Sequence, residues 1–248
     1  MKRNFPYRLK SRRNISPVRL YFKLRLKGEK VRCNICGKSF RQFRTFGYYK
    51  RNNALCPNCY SLESSRLLWF YLTSEVLGTK NKNNWLYFSP ETSILEKLQN
   101  LDVNLTLSSI DYLNRLNSAS QEQKIAGGKQ DVILFSHILQ YTTDDNLVLE
   151  ELKRLLRPGG IILLQTVINW EMERTYENPQ SSEDKDRLNQ YFEPGVKRIY
   201  GCDFQKHLMR AGFDVEVINY SERLGEYANQ YYQLGDGARE LIFKCKKI

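Results

Sequence analysis

The stretch DVILFSHILQYTTDDNLVLEELKRLLRPGGIILLQTVI, residues 131–168, sets the architecture of this chain. Asp131 to His137 are almost wholly apolar, the composition of a strand buried on both faces. Asp144 and Asp145 then stand at the positive end of a helix over 144–157. Val148, Leu152, Leu155 and Leu156 form its apolar stripe, and Lys153, Arg154 and Arg157 lie at its end. Pro158, Gly159 and Gly160 stop that helix, and IILLQTV follows as a second buried strand.

Working outward, the alternation continues. NNWLYFS reads as a strand, after which Ser89 caps a helix with Pro90 in its first turn and Glu91 beside the positive end of the dipole. VNLTLSSI alternates Val103, Leu105 and Leu107 and leads to Asp111. Downstream, Asp203 caps FQKHLMRA, Gly212 ends it, and FDVEVIN and ELIFKCK are the last two strands. Strand and helix in turn predict an α/β sheet. Ligands of such sheets gather above the carboxyl ends of the strands, here Ser89 to Glu91, Asp111, Ser136 to Tyr141 and the loop after Val167.

The N-terminal quarter has a different character. Cys33, Cys36, Cys56 and Cys59 form a C-x2-C-x19-C-x2-C array, the spacing that lets two tight turns bring four thiolates around a tetrahedral zinc ion. Four protein ligands leave no open position, so this zinc would be structural, with Arg32, Lys38 and Arg41 partly neutralising the thiolates. Cys202 and Cys245 read as packing residues. Residues 1–60 carry 17 Lys or Arg against the single acid Glu29, a net of +16, which leaves −4 for residues 61–248. Aromatic residues lie among these cations, so residues 1–60 read as a solvated basic arm beside a small zinc fold, or as a surface for nucleic acid or an anionic membrane. No apolar run suits a signal peptide or a transmembrane span, and the thiols predict a reducing, cytoplasmic location.

Four regions follow: a basic arm at 1–29, a zinc ribbon at 30–61, a connecting helix and linker at 62–83, and an α/β domain at 84–248. The connecting helix, within SLESSRLLWFYLTSEVLG, is apolar around too much of its circumference to face solvent, and is expected between the two modules.

Residues 131–168 resemble the segment of class I S-adenosylmethionine-dependent methyltransferases that runs from D-x-I through H-x-L-x-H to E-L-x-R-x-L-x-P-G-G. CNICGKSF, RNNALCPNCYSLESSRLLWFYL, LYFSPE and RIYGCDFQKHLMRAGFDVEV resemble, in order, a bacterial branch with an N-terminal zinc ribbon. The resemblance implies a Rossmann-like sheet of seven strands, mostly parallel with the last antiparallel, binding S-adenosylmethionine and zinc. It also implies a set of site residues. Asp111 would accept from the ribose, Ser89, Pro90 and Glu91 stand where a glycine-rich loop is usual, and Ser136 and His137 lie where the methyl group would be delivered. His137 would act as a base or floor the pocket. Glu177, Arg198 and Tyr200 would meet the acceptor or tie down a lid. Apart from the resemblance, His207 lies on the surface helix expected over FQKHLMRA and reads as solvent-facing.

Several positions depart from the branch pattern: Gln140, Tyr141, Val196 and SLESSR, with no clear third strand between Asp111 and Asp131. Three readings follow. The first is a methyltransferase for a small-molecule or glycan-linked acceptor. The second is an RNA methyltransferase using the basic module. The third is a degenerate binding protein on the same frame.

Overall fold

The computed structural model describes residues 17–47, 50–79, 83–116, 125–177, 195–235 and 240–248. Its N-terminal part consists of α1 (Pro17–Arg25) and two small antiparallel pairs, β1 (Lys27–Arg32) with β2 (Ser39–Phe40) and β3 (Arg44–Phe46) with β4 (Arg51–Leu55). Next comes α2 (Glu63–Tyr71), which widens into one π-helical turn over Leu72–Val76, where the Leu77 amide donates to the Leu72 carbonyl.

The main sheet then builds from β5 (Asn84–Phe88), β6 (Asn104–Ser108), β7 (Gln130–Ser136), β8 (Leu156–Gln165), β11 (Phe213–Ile218) and β12 (Ile242–Lys247). Their order is β6-β5-β7-β8-β12-β11. The four strands from β6 to β8 are parallel, and β12 runs antiparallel to both β8 and β11. Between them lie α3 (Thr92–Leu98), α4 (Ile110–Asn114), α5 (Asp145–Leu155), the small pair β9 (Tyr176–Glu177) with β10 (Arg198–Ile199), α6 (Phe204–Arg210) and α7 (Tyr220–Tyr232). The sheet has six strands among the described residues, not seven. The interval between β6 and β7 holds α4 and the undescribed residues 117–124.

Period-two alternation sorts the core into two layers. On β7, Val132 and Leu134 join a cluster containing Trp85, Tyr87, Leu67, Leu68, Tyr71 and the ribbon residues Val31, Phe40, Phe43 and Cys56. Ile133 and Phe135 point the other way, into a cluster with Val148, Leu152 and Leu155 of α5 and Phe204 and Leu208 of α6. The ribbon, α2 and one sheet face therefore bury a common apolar surface, and α2 lies between ribbon and sheet. Leu67 and Leu68, both buried, each contribute about 2 kcal/mol by removal from water.

Residues 144–168 fold nearly as their sequence indicates. The Asp144 carboxylate accepts from the Leu147 amide at 3.0 Å and so caps α5. The strand that follows begins earlier than expected, at Leu156, because Leu156 already pairs with Gln130 across an irregularity that Pro158 and Gly159 accommodate. Gly160 has a plain steric reason: a Cβ there would stand 2.7 Å from the Gln130 carbonyl oxygen.

At the amino-terminal end of β7, Asp131 holds the sheet start together. Its Oδ2 accepts from the amides of Asn83 at 2.9 Å and Asn84 at 2.7 Å, and Oδ1 pairs with Arg157. Burial pushes this carboxyl up, but the amides and the Arg157 guanidinium outweigh it and hold the pKa below the usual value. Asp131→Asn is expected to lower unfolding free energy by about 2 kcal/mol in urea titration at neutral pH. A depressed carboxyl stabilises fully above its unfolded pKa of about 4, and the contribution fades as pH falls through the folded value. The gap between wild type and variant should therefore close on acidification, and a gap unchanged to pH about 2 would contradict the assignment.

Candidate functional site

The four cysteines occupy two turns of matching build. In the first, the Cys33 amide donates to Lys38 O at 3.0 Å and the Gly37 amide to Cys33 O at 2.8 Å. In the second, Cys56 N donates to Ser61 O and Tyr60 N to Cys56 O, each at 3.0 Å. Gly37 and Tyr60, each directly after a cysteine, take left-handed φ of +70° and +61°. Sγ of Cys33 lies 3.6 Å from Cys59, Sγ of Cys36 lies 3.8 Å from Cys56, and all four ligand atoms fall within 4.8 Å of one another. Disulfide bonding requires about 2 Å, whereas four sulfurs around zinc at about 2.3 Å stand roughly 3.8 Å apart. All of them are free thiols, and their geometry fits a zinc ribbon.

The charge complement of this cluster comes from a residue outside the ribbon. Arg32, Lys38 and Arg41 are exposed, whereas Arg66 of α2 is fully buried. Its donors reach the carbonyls of Tyr232 at 2.9 Å, Ala54 at 3.0 Å, Ser61 at 2.7 Å and Gln233 at 2.5 Å, with the guanidinium 4.7 Å from the Phe43 ring centroid. Every one of these acceptors is neutral. Burial lowers the Arg66 pKa, opposed by Cys33, Glu63, Cys56 and Cys59, so this buried cation sits in the field of both the cysteine cluster and the Glu63 carboxylate. Sequence reasoning passed over Arg66. Its signal was a lone cation entering the apolar run LLWFYL.

The second assembly lies at the carboxyl edge of the parallel strands. Ser89 ends β5 with φ +43°, and its amide donates to Ser108 O of β6 at 2.9 Å. His137 ends β7 with φ +53°, and its amide donates to Gln165 O of β8 at 2.7 Å. Two non-glycine residues in left-handed conformation at neighbouring strand tips carry backbone strain, of the kind that collects at working sites. Asp111, in the first turn of α4, is exposed, and its carboxylate has no hydrogen-bond partner among the described residues. Side chains close the back of this edge: Ser136 Oγ donates to Gln165 Oε1 at 3.1 Å, and Gln165 Nε2 to Ser64 O of α2 at 3.4 Å.

Ser89 does not cap a helix. With its left-handed turn, the chain stays extended through Glu91, and α3 starts at Thr92 with no side-chain cap. The Glu91 amide donates to Tyr87 Oη at 3.2 Å, and its carboxylate accepts from Ser65 Oγ at the start of α2. Burial raises the Glu91 pKa, with Ser65 and Arg66 opposing. His137 is partly buried. Desolvation and the Arg51 guanidinium, opposed by Glu63, lower its pKa to about 4. Arg51 and Glu63 are themselves paired at 3.1 Å, so ribbon and α2 contribute charge to the strand-tip edge.

Arg198, Tyr200 and Glu177 meet in a different place. Arg198, 3% exposed, donates to the carbonyls of Leu139 at 3.1 Å, Thr142 at 2.9 Å and Thr143 at 3.2 Å, and its Nε lies 2.7 Å from Glu177 and 3.5 Å from Asp145. The Tyr200 hydroxyl donates to Asp145 Oδ2 at 3.0 Å, and His207 Nε2 stands 3.2 Å from the same oxygen. His207 therefore turns inward instead of facing solvent, because α6 packs against the start of α5. Asp203 lends no side-chain cap to α6. Its Oδ1 accepts from the amide and hydroxyl of Thr175, both at 2.8 Å, tying the segment after β8 to that helix. Cys202 is exposed and Cys245 buried, so only the latter is a packing residue.

Residues 90–164 match the family model described as a methyltransferase domain. No curated protein matches the chain. Among solved structures it is similar to the (4+2)-cyclase SpnF, at 13% identity over 74% of this chain and 82% of that one with TM-score 0.46. It is also similar to a SAM-dependent methyltransferase from Archaeoglobus fulgidus, at 14% identity over 76% and 96% with TM-score 0.44. A third is the S-adenosylmethionine-dependent methyltransferase from Mesorhizobium loti, at 16% identity over 67% and 81% with TM-score 0.40. The chain therefore has a Rossmann-like α/β sheet, mostly parallel with its last strand antiparallel, and residues 90–164 within it match a methyltransferase domain. In this chain that fold is preceded by a four-cysteine group that fits a zinc ribbon. No described helix is long and apolar enough to cross a membrane.

Proposed function

We propose that the protein transfers a methyl group from S-adenosylmethionine to a small-molecule or glycan-linked acceptor. One observation carries the reading: the tips of β5, β6 and β7 adjoin at one edge, with left-handed turns at Ser89 and His137 on the neighbouring tips of β5 and β7 and an exposed Asp111, without a hydrogen-bond partner among the described residues, just beyond β6 on the other side of β5. A bound sulfonium supplies an already activated methyl group, so the residues need only hold, orient and exclude water. The Asp111 carboxylate accepts from vicinal ribose hydroxyls. The turn from Ser89 through Glu91 brings backbone close to the methionine end, the left-handed Ser89 doing what a glycine usually does there. Ser136 and His137 form the floor beneath the methyl group. With its pKa near 4, His137 is neutral at physiological pH and places no like charge beside a sulfonium, which favours a floor over a proton acceptor. The occupied donors of Arg198, among them the pair with Glu177, and the Tyr200 hydroxyl support a role in tying down the segment after β8, and the Glu177 side chain, 64% exposed, keeps Oε2 free, among the described residues, to meet an acceptor. Zinc held by Cys33, Cys36, Cys56 and Cys59 would be structural, since four protein ligands leave no position for substrate.

Calorimetric titration with S-adenosylmethionine tests this. Wild type is expected to bind, and Asp111→Ala to bind at least about tenfold more weakly, a loss of about 1.4 kcal/mol. Wild-type affinity should stay level between about pH 6 and pH 8, because His137 does not titrate there. Absence of heat at millimolar ligand would leave a degenerate binding protein instead.

A further inference from the structure

α1 carries its apolar residues on the outside. Its inner face is pinned to the ribbon: Arg19 donates to Asn58 Oδ1 at 3.5 Å and stands 5.6 Å from the Tyr60 ring centroid, while Arg44 stacks on the Phe22 ring at 3.9 Å. Leu26, just beyond the helix, is buried, and its amide donates to Phe22 O at 3.0 Å. These contacts fix which way the helix faces. Pro17, Leu20, Tyr21 and Leu24 follow the spacing that places residues on one helix face, here the opposite one. Leu20 is 49%, Tyr21 51% and Leu24 68% exposed, and none of the nine helix residues is buried among the described residues. An ordinary surface helix has the reverse arrangement, with its leucines turned inward.

The surroundings of this stripe are strongly basic. Residues 17–60 hold eleven Lys or Arg and one acid. Arg25 and Lys27, at the end of α1 and the start of β1, are both exposed. Nucleic acid would use the cations but gain little from outward leucines, since its affinity comes from phosphate neutralisation. An anionic lipid surface uses both. Cations meet headgroup phosphates, leucines enter the boundary between headgroups and acyl chains, and a tyrosine suits that depth because its ring is apolar and its hydroxyl polar.

We propose that α1 lies in the plane of an anionic phospholipid surface, with Leu20, Tyr21 and Leu24 inserted and Arg25 and Lys27 on the headgroups. Through α1 the protein would then work at a membrane surface. This inference stands apart from the methyltransferase reading, and either can fail alone.

The test is co-sedimentation of the full chain with phosphatidylcholine vesicles, with and without phosphatidylglycerol, at physiological salt. Wild type is expected to bind the anionic vesicles and not the neutral ones. A Leu20→Ser, Leu24→Ser double variant should bind the anionic vesicles about tenfold less well. Both positions are exposed, so the fold should survive, as an unchanged thermal transition would verify. Lack of binding to anionic vesicles, or equal binding by the double variant, would overturn the proposal. So would displacement by polyuridylate with no dependence on the leucines, which would assign the surface to nucleic acid.

Discussion

If Cys33, Cys36, Cys56 and Cys59 hold zinc as proposed, removing it is expected to unfold residues 26–61 and to loosen the face of the sheet they cover. Zinc sites of this kind contribute roughly 10–16 kcal/mol of apparent folding free energy, because the unfolded chain has no preformed site. The ribbon has little else of its own, since its strands run from two to six residues. Val31, Phe40, Phe43 and Cys56 nevertheless share a cluster with Leu67, Tyr71, Trp85 and Leu134, so opening the ribbon exposes apolar surface on α2 and β5 as well. A Cys33→Ser variant should therefore lose near-stoichiometric zinc and at least about 5 kcal/mol of stability. Hydrogen exchange should rise over 26–61 and at α2, and stay protected on the face formed by α5 and α6. A metal-free variant with the wild-type thermal transition would contradict the ribbon assignment.

Arg66→Met is expected to be nearly as damaging, although it changes no ligand of the metal. The substitution takes a donor from the buried Ala54 carbonyl and from the half-buried Tyr232 and Gln233 carbonyls, at about 1–3 kcal/mol each, while the Ser61 carbonyl keeps the Cys56 amide. Part of that is recovered by relaxation and water entry, and a net loss of about 4 kcal/mol is the expected result in denaturant titration. Arg66→Lys should rescue little, since a single ammonium cannot satisfy acceptors on β4, the second cysteine turn and the end of α7 together. The coupling to the metal provides the sharper readout. Four thiolates and one divalent cation leave a charge of about −2 beside the Arg66 guanidinium, so the variant should also surrender zinc to a competing chelator at lower concentration. Unchanged zinc affinity would show that the thiolates and Arg66 are electrostatically independent.

Legibility of the sequence varied with how local the determining physics was. Strands β7 and β8 and helix α5 were readable because each depends on short-range rules: an apolar run, a capping aspartate at 144, a Pro-Gly-Gly stop. The cysteine turns were readable because two residues between ligands is itself the geometry. Errors clustered at strand ends. Ser89 looked like a helix cap and is a left-handed hinge, because the chain there answers to the Ser108 carbonyl of a neighbouring strand. Asp203 looked like another cap, yet its carboxylate serves Thr175, 28 residues away in sequence.

From its own residue pattern the chain determined an alternating α/β sheet, a four-thiol cluster and a basic N-terminal quarter, since hydrophobic period, ligand spacing and charge are properties of neighbours along the chain. Only the tertiary structure decided what those parts do to one another. It placed Arg66 where a cation can be buried, drew Glu91 to the start of α2, spent Arg198 on carbonyls and turned the leucines of α1 outward. Each of these outcomes is a balance of desolvation against partners brought from distant segments, and that balance exists only once the chain has folded.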